Sequence, residues 1–104
     1  MENRKIYIAG KISGRPKKEY RKQFNDYYEE LRKKIDCRLI HNPAFYDEYY
    51  IGLGYTWEEC LKSCLEHLMT CNEIHLLPGW LESRGATIEH SLAVLLKYKI
   101  VYVK

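Results

Sequence analysis

The segment 77–89 carries the residues best suited to chemistry. It reads L-P-G-W-L-E-S-R-G-A-T-I-E, so an apolar run ends at a Pro-Gly pair and a helical pattern starts at Ser83. Ser83 is a predicted helix cap, and Gly85 keeps the first turn slim, so an anion can approach the helix N-terminus. Glu89 follows Ser83 by just under two turns, so both side chains are predicted to line one pocket edge.

The chemistry that Glu89 offers depends on its charge. The helix dipole is expected to keep a carboxylate near the helix start ionised. An ionised carboxylate can attack an electron-poor sugar carbon, or stabilise it electrostatically, as in glycoside hydrolysis. The alternative is a Glu that only balances the helix dipole.

The loop 10–16, which reads G-K-I-S-G-R-P, is a candidate phosphate cradle after the first strand. Gly10, Ile12 and Arg15 are its candidate ligand-binding residues. The spacing matches neither a P-loop nor a dinucleotide-binding fingerprint. The alternative is a plain turn between a strand and a helix.

The stretch 42–56 is rich in aromatic residues and contains two glycines, which predicts a loop. Asn42 at its start is a further candidate for ligand binding. Flat rings stack well on aromatic side chains, and the candidates for stacking on a base are Tyr46, Trp57 and Trp80. A second hydrophobic cluster or a dimer surface would explain the same residues.

Four residues of types that bind metals fall on one predicted helical stripe: Cys60, Cys64, His67 and Cys71. The first and last lie about 16 Å apart along a helix axis, whereas one zinc ion needs ligands at about 2.0–2.3 Å. The stripe therefore predicts buried reduced thiols and no metal site. No cofactor is expected.

Strand and helix patterns alternate along the chain. Apolar and β-branched runs predict strands, and apolar residues at three- and four-residue spacing predict helices. The predicted strands cover 4–9, 37–40, 73–77 and 99–103, and the predicted helices cover 17–35, 56–70 and 83–97. This order predicts a parallel sheet with helices on both faces, and ligands of such sheets bind beyond the carboxyl ends of the strands. In the last helix the residues expected to face inward are Ile88, Leu92, Leu95 and Leu96.

Length and composition indicate one globular domain over residues 1–104. Hydrophobic residues make up 46% and charged residues 30% of the chain, as is usual for globular proteins. No apolar run has the roughly 18 residues of a membrane span, and no signal peptide is recognised, so a cytoplasmic location is expected. The net charge of +3 is modest and is not interleaved with the aromatic residues, which disfavours nucleic acid as a partner.

Three segments taken together resemble the nucleoside 2-deoxyribosyltransferase-like superfamily. They are Y-I-A-G at 7–10, N-P-A at 42–44, and L-L-P-G-W at 76–80 followed by Ser83, Gly85, Ala86 and Glu89. The likeness covers nearly the whole chain and is strongest to small, often phage-encoded members of unassigned function. The chain also resembles the 2′-deoxynucleoside 5′-monophosphate N-hydrolases.

The resemblance implies a flavodoxin-like, Rossmann-like three-layer fold with about four parallel strands, a homodimer, and cleavage of an N-glycosidic bond. Glu89 matches the nucleophile, and Tyr7 matches a tyrosine beside it. Ser83 and Gly85 match positions that hold the 5′-phosphate, and the loop that starts at Gly10 matches the other phosphate-side loop.

Two positions depart from the superfamily pattern. Cys64 aligns with an acidic residue on the second helix that handles the proton of the base, and Asn72 aligns with a second Asp. Loss of a general acid typically costs roughly 10²–10⁴ in rate. The replacements leave open a slow enzyme, another acid such as Glu59 or Glu66, or a degenerate pocket that only binds a nucleotide. A nucleoside-monophosphate phosphoribohydrolase is a third interpretation, because 78–79 and 85–89 resemble the glycine-rich motif of that family.

Overall fold

The computed structural model describes residues 2–104, except the side chains of Glu2 and Glu48. Four strands form one parallel sheet in the order β2-β1-β3-β4. The strands are β1 (Glu2–Ala9), β2 (Cys37–His41), β3 (Glu73–Leu76) and β4 (Lys99–Tyr102). The helices are α1 (Lys17–Lys34), α2 (Asp47–Gly52), α3 (Trp57–Met69) and α4 (Arg84–Leu95), with 3₁₀ turns at Pro43–Phe45 and Trp80–Glu82.

The alternation of side chains along β1 builds a core on each face of the sheet. Ile6 and Ile8 pack with Phe24 of α1 on one face. Tyr7 and Ala9 face the other way, towards residues of α3 and α4. Successive residues of a strand point to opposite faces, so one short strand serves both layers. The predicted parallel sheet with helices on both faces is confirmed.

The structure corrects the prediction that 42–56 is an irregular loop. Asn42 accepts a hydrogen bond from the backbone N–H of Ala44 and starts the first 3₁₀ turn. Tyr46 then precedes the short helix α2, which ends before the left-handed Gly54. Aromatic residues and glycines suggested a turn-rich segment, but local capping and burial of Tyr50 produce helical turns there.

The buried face of α4 was also predicted wrongly. Ile88, Leu95 and Leu96 are exposed, and only Leu92 of the predicted set packs against the core. Small residues, Ala86 and Ala93, lie against the sheet instead, together with Glu89. Their size lets the helix approach the strands closely, which side-chain hydrophobicity alone does not reveal.

Capping residues fix where the last two helices begin. Thr56 and Glu59 form the predicted capping box of α3, and Ser83 accepts a hydrogen bond from the N–H of Ala86 at 3.1 Å. The helix α4 ends earlier than predicted, because Lys97 adopts a left-handed conformation. No described helix has the length and apolar character needed to cross a membrane.

Candidate functional site

A cavity of about 290 Å³ lies between the carboxyl end of β1 and the start of α4, the helix that follows β3, and residues of α2 and α3 complete its wall. The chain leaves these two adjacent strands towards opposite edges of the sheet, which is where doubly wound sheets bind ligands. Its size is near the lower end of small-molecule sites, which span about 300–1,000 Å³. Its wall combines apolar and aromatic side chains with a few polar groups. The cavity is therefore sized for a compact ligand.

Glu89 and Tyr7 form the buried polar pair of this cavity. Both line it, and Glu89 is 6% exposed while Tyr7 is fully buried. The Tyr7 hydroxyl donates a hydrogen bond to Oε2 of Glu89. The other oxygen, Oε1, accepts no hydrogen bond from any described residue. The geometry thus leaves one carboxylate oxygen available to a ligand.

Burial sets the protonation of this pair. It raises the pKa of Glu89 to about 7, and the hydrogen bond from Tyr7 opposes that rise. Burial and the nearby Glu89 carboxylate raise the pKa of Tyr7 well above its usual value, so its hydroxyl stays a donor. The expectation that the helix dipole keeps Glu89 ionised was incomplete, because desolvation is the larger effect here.

Cys64 lies at the same end of the cavity as this pair. Burial, followed by the charge of Glu89, raises the pKa of its thiol to about 12. A thiol of that pKa holds its proton and is a poor general acid at neutral pH. Cys60 also lines the cavity, and burial raises its pKa as well. All four cysteines are free thiols.

The structure brings seven of the eleven predicted site residues to the cavity. They are Tyr7, Gly10, Ile12, Trp57, Ser83, Gly85 and Glu89. The other four do not line it, and each has a different partner. Arg15 donates to the Lys11 carbonyl and to Gln23, whereas Asn42 bonds to Asn25 and caps the first 3₁₀ turn.

Tyr46 and Trp80 are the other two residues placed outside the cavity. Tyr46 stacks on His41 and His67, while Trp80 packs against His90 and Tyr102. Both were chosen for their aromatic type, and type alone does not say which neighbours a ring will meet.

Asn72 and the proposed substitute acids also lie away from the cavity. Asn72 precedes β3 at the amino end of the sheet and bonds to the backbone of Asn3 and Lys5. Glu59 caps α3, and Glu66 is exposed. None of the three can therefore protonate a group bound beside Glu89 in this arrangement.

Sequence reasoning missed Asp47, which lines the cavity at the start of α2. The Tyr20 hydroxyl donates to Oδ2 of Asp47, and the Arg21 guanidinium lies 2.6 Å from Oδ1. Asp47 is an acidic residue within the aromatic stretch 42–56, and its charge among aromatic neighbours was the signal that could have identified it. Arg84 does not line the cavity, but its guanidinium lies 4.3 Å from the centre of the Trp57 ring, which does.

Two glycines of the cavity differ in what they permit. A Cβ on Gly10 would meet Phe24 Cζ at 3.0 Å and Leu77 Cβ at 3.2 Å, whereas one on Gly85 would meet Leu61 and Trp57 at 3.9 Å. We expect Gly10→Ala to lower the free energy of unfolding by about 1–3 kcal/mol through overpacking. We expect Gly85→Ala to leave it unchanged or raise it by up to about 1 kcal/mol, because Ala favours helix.

Chemical denaturation of the two alanine variants tests this contrast, with the wild type measured beside them. Equal losses in both variants would contradict the packing described here. If Gly85→Ala keeps full stability yet weakens ligand binding, then the absence of a side chain at Gly85 leaves room for the ligand and is not needed for packing.

The described residues offer no evident metal site. No group of three or more His, Cys, Asp or Glu side chains within the described part of the chain is arranged to hold an ion. The cavity therefore presents carboxylates, hydroxyls and thiols as its own chemical groups.

The fold and the cavity define a class: a small doubly wound α/β domain with a ligand-sized crevice at the strand ends. Over residues 4–102 the chain matches the family described as domain of unknown function DUF4406, and it belongs to that family. No match was found among curated proteins or among solved structures.

Proposed function

We propose that this protein cleaves the N-glycosidic bond of a 2′-deoxynucleoside or its 5′-monophosphate, with Glu89 as the nucleophile. One observation carries the proposal: Glu89 is buried in a cavity wall and held through one oxygen by Tyr7, and its other oxygen has no hydrogen-bond partner among the described residues. A carboxylate so held can reach the sugar carbon of a bound ligand. The resemblance to the deoxyribosyltransferase-like superfamily supports the same role.

The reaction is a double displacement. An oxygen of the Glu89 carboxylate attacks C1′ of the sugar, and the bond between C1′ and the base nitrogen breaks with its electron pair on the base. The leaving base takes a proton from solvent water. Water, or a second base, then attacks C1′ and regenerates the carboxylate. Tyr7 orients Glu89 and stabilises its charged form.

The reaction should follow the ionisation of Glu89. A nucleophilic carboxylate must be deprotonated. The pKa of Glu89, about 7 in the protein, therefore sets the pH below which the rate of base release falls. We expect base release to be constant above about pH 8 and to fall about tenfold per pH unit below 6. Initial rates from pH 5 to 9 test this, and a rate that does not change between pH 5 and 8 would contradict it.

A pocket that binds a nucleotide without cleaving it is the second candidate. The observation in its favour is Cys64, whose thiol has a pKa of about 12 where an acid is expected. Such a protein would act as a sensor or a sponge. A phosphoribohydrolase acting on ribonucleoside monophosphates is the third alternative, and it differs in its preference for ribose.

One assay separates these functions. The protein is incubated with each deoxynucleoside, each deoxynucleoside monophosphate and the matching ribonucleotides, and free base is measured by chromatography. Base release that is lost in Glu89→Gln and kept in Glu66→Gln, an exposed control, supports cleavage. No release together with a ligand-induced rise in Tm supports the binder. Preferential release from ribonucleotides supports the phosphoribohydrolase.

A further inference from the structure

Asp47 is a second carboxylate in the cavity, and neighbouring residues hold it in place. Its side chain is 12% exposed and lies 2.6 Å from the Arg21 guanidinium. The Tyr20 hydroxyl donates to its other oxygen, and Tyr20 also lines the cavity. A carboxylate oxygen carries two lone pairs, so each oxygen can accept more than one hydrogen bond.

The wall around Asp47 suits a flat ring. Aromatic side chains that line the cavity with it include Phe24, Tyr50, Tyr55 and Trp57. Tyr50 and Tyr55 are stacked, with ring centroids 5.3 Å apart. Aromatic side chains stack on the face of any nucleobase, because every base has a π-face and its polar groups lie at the edge. Any selection between bases must therefore come from a polar group at the edge of the ring.

Asp47 is the acceptor beside this wall, whereas the indole N–H of Trp57 and the hydroxyls of Tyr50 and Tyr55 can donate. A carboxylate only accepts hydrogen bonds, and the Tyr20 hydroxyl already donates its proton to Asp47. No Lys or Arg is found among the described side chains that line the cavity. Where the base meets Asp47, an edge that donates from an exocyclic amino group is therefore favoured over one that presents a carbonyl oxygen at that position.

We infer that Asp47 determines base specificity by accepting a hydrogen bond from the exocyclic amino group of the base. The inference rests on the proposed function, because it takes the ring seated on this wall to be a nucleobase. Adenine and cytosine carry such an amino group, whereas hypoxanthine and uracil carry a carbonyl oxygen at the same ring position. Tyr20 acts as a positioning residue, because it fixes the carboxylate that meets the base.

The test is calorimetric binding of four free bases: adenine, hypoxanthine, cytosine and uracil. Each pair has nearly the same size: the amino member donates from its exocyclic nitrogen, whereas on this edge the carbonyl member donates only from the adjacent ring nitrogen. We expect the wild type to bind the amino member of at least one pair about 10-fold more tightly or better, the range of a hydrogen bond to a charged group. In Asp47→Asn, whose amide also donates, the preference should fall to within about twofold.

Two further variants separate recognition from folding. Asp26→Asn changes an exposed carboxylate paired with Lys22 and should leave the preference intact. Tyr20→Phe keeps the charge of Asp47 and loses one hydrogen bond, so the preference should fall about 2- to 10-fold. It provides the test if Asp47→Asn proves unstable by its Tm.

The outcomes distinguish this inference from the proposed function. If no nucleoside is cleaved but the amino preference depends on Asp47, then cleavage is wrong and base recognition stands. If base is released but the preference is absent in the wild type, or unchanged in both Asp47→Asn and Tyr20→Phe, the inference is wrong. Failure of the wild type to bind any of the four bases overturns it as well.

Discussion

We expect Glu89→Gln to lower base release by about 10³-fold or more and, in the same protein, to raise stability at pH 8 by about 3 kcal/mol. The first effect follows from the loss of the nucleophile. The second follows from burial, which raises the pKa of Glu89 from 4.5 to about 7. Gln has nearly the same shape and carries no charge, so it removes the desolvation cost of the carboxylate.

The sign of the pH dependence is fixed by where the proton binds more tightly. The folded protein holds the Glu89 proton up to about pH 7, whereas the unfolded chain releases it near pH 4.5. Protonated Glu89 therefore makes a favourable contribution to the free energy of unfolding, which is complete below pH 4.5 and is lost as the pH rises through 7. The advantage of Glu89→Gln should therefore be less than about 1 kcal/mol at pH 5 and reach about 3 kcal/mol at pH 8.

Chemical denaturation of wild type and Glu89→Gln at pH 5 and pH 8 measures this difference. Glu66→Gln is the matched control, because Glu66 is exposed on α3 and should show little difference at either pH. An advantage of the same size at both pH values, or a less stable Glu89→Gln at pH 8, would contradict the burial of a titrating carboxylate.

The second large effect is expected at Glu73, on the face of the sheet that packs against α1. Arg4 donates to Glu73 through Nε at 3.0 Å and Nη2 at 2.7 Å, and His75 Nε2 lies 2.5 Å from Oε2. Tyr27 lies 2.5 Å from His75 Nδ1. With Glu73 ionised, His75 donates through Nε2 and accepts from the Tyr27 hydroxyl, so a neutral imidazole satisfies both partners.

We expect Glu73→Ala to lower the free energy of unfolding at pH 7 by about 3 kcal/mol, because it removes the carboxylate from a buried ion pair. Breaking a buried ion pair usually costs about 3–5 kcal/mol. We expect the lower value because the Arg4 side chain is 23% exposed. Although burial raises the pKa of Glu73, the hydrogen bonds from Arg4 and His75 bring it below the usual value. Its contribution is thus present at neutral pH and is lost as the pH falls through that lowered pKa.

A surface ion pair provides the comparison for Glu73. Glu29 lies 3.6 Å from Arg32, and both side chains are more than half exposed. Glu29→Ala should cost at most about 0.5 kcal/mol. Urea denaturation of both variants at pH 7 tests the prediction. Losses of equal size would mean that the buried network adds nothing beyond a surface pair.

The strands and long helices could be predicted because their signals are local. Runs such as I-Y-I-A and E-I-H-L, and the spacing of Tyr20, Phe24 and Leu31, report burial directly. The caps at Thr56 and Ser83 are local as well, since each side chain bonds three residues ahead. The polar Glu89 was expected at the cavity on the basis of helix spacing, and the structure places it there.

What could not be predicted depends on contacts between distant parts of the chain. Leu95 and Ile88 were predicted to face the core, but α4 packs through small residues, so these larger side chains lie outside. Trp80 meets Tyr102, which is far along the chain, and so does not reach the cavity. The pKa of Glu89 depends on burial that no sequence window records.

The most direct test of the account is a search for the sugar on Glu89. Wild-type protein is mixed with the deoxynucleoside it cleaves best, quenched in acid within the first turnover, and digested for mass spectrometry. The account predicts a deoxyribosyl group on the peptide that contains Glu89, and none in Glu89→Gln. Base released in that first turnover, with the Glu89 peptide unmodified, would contradict it.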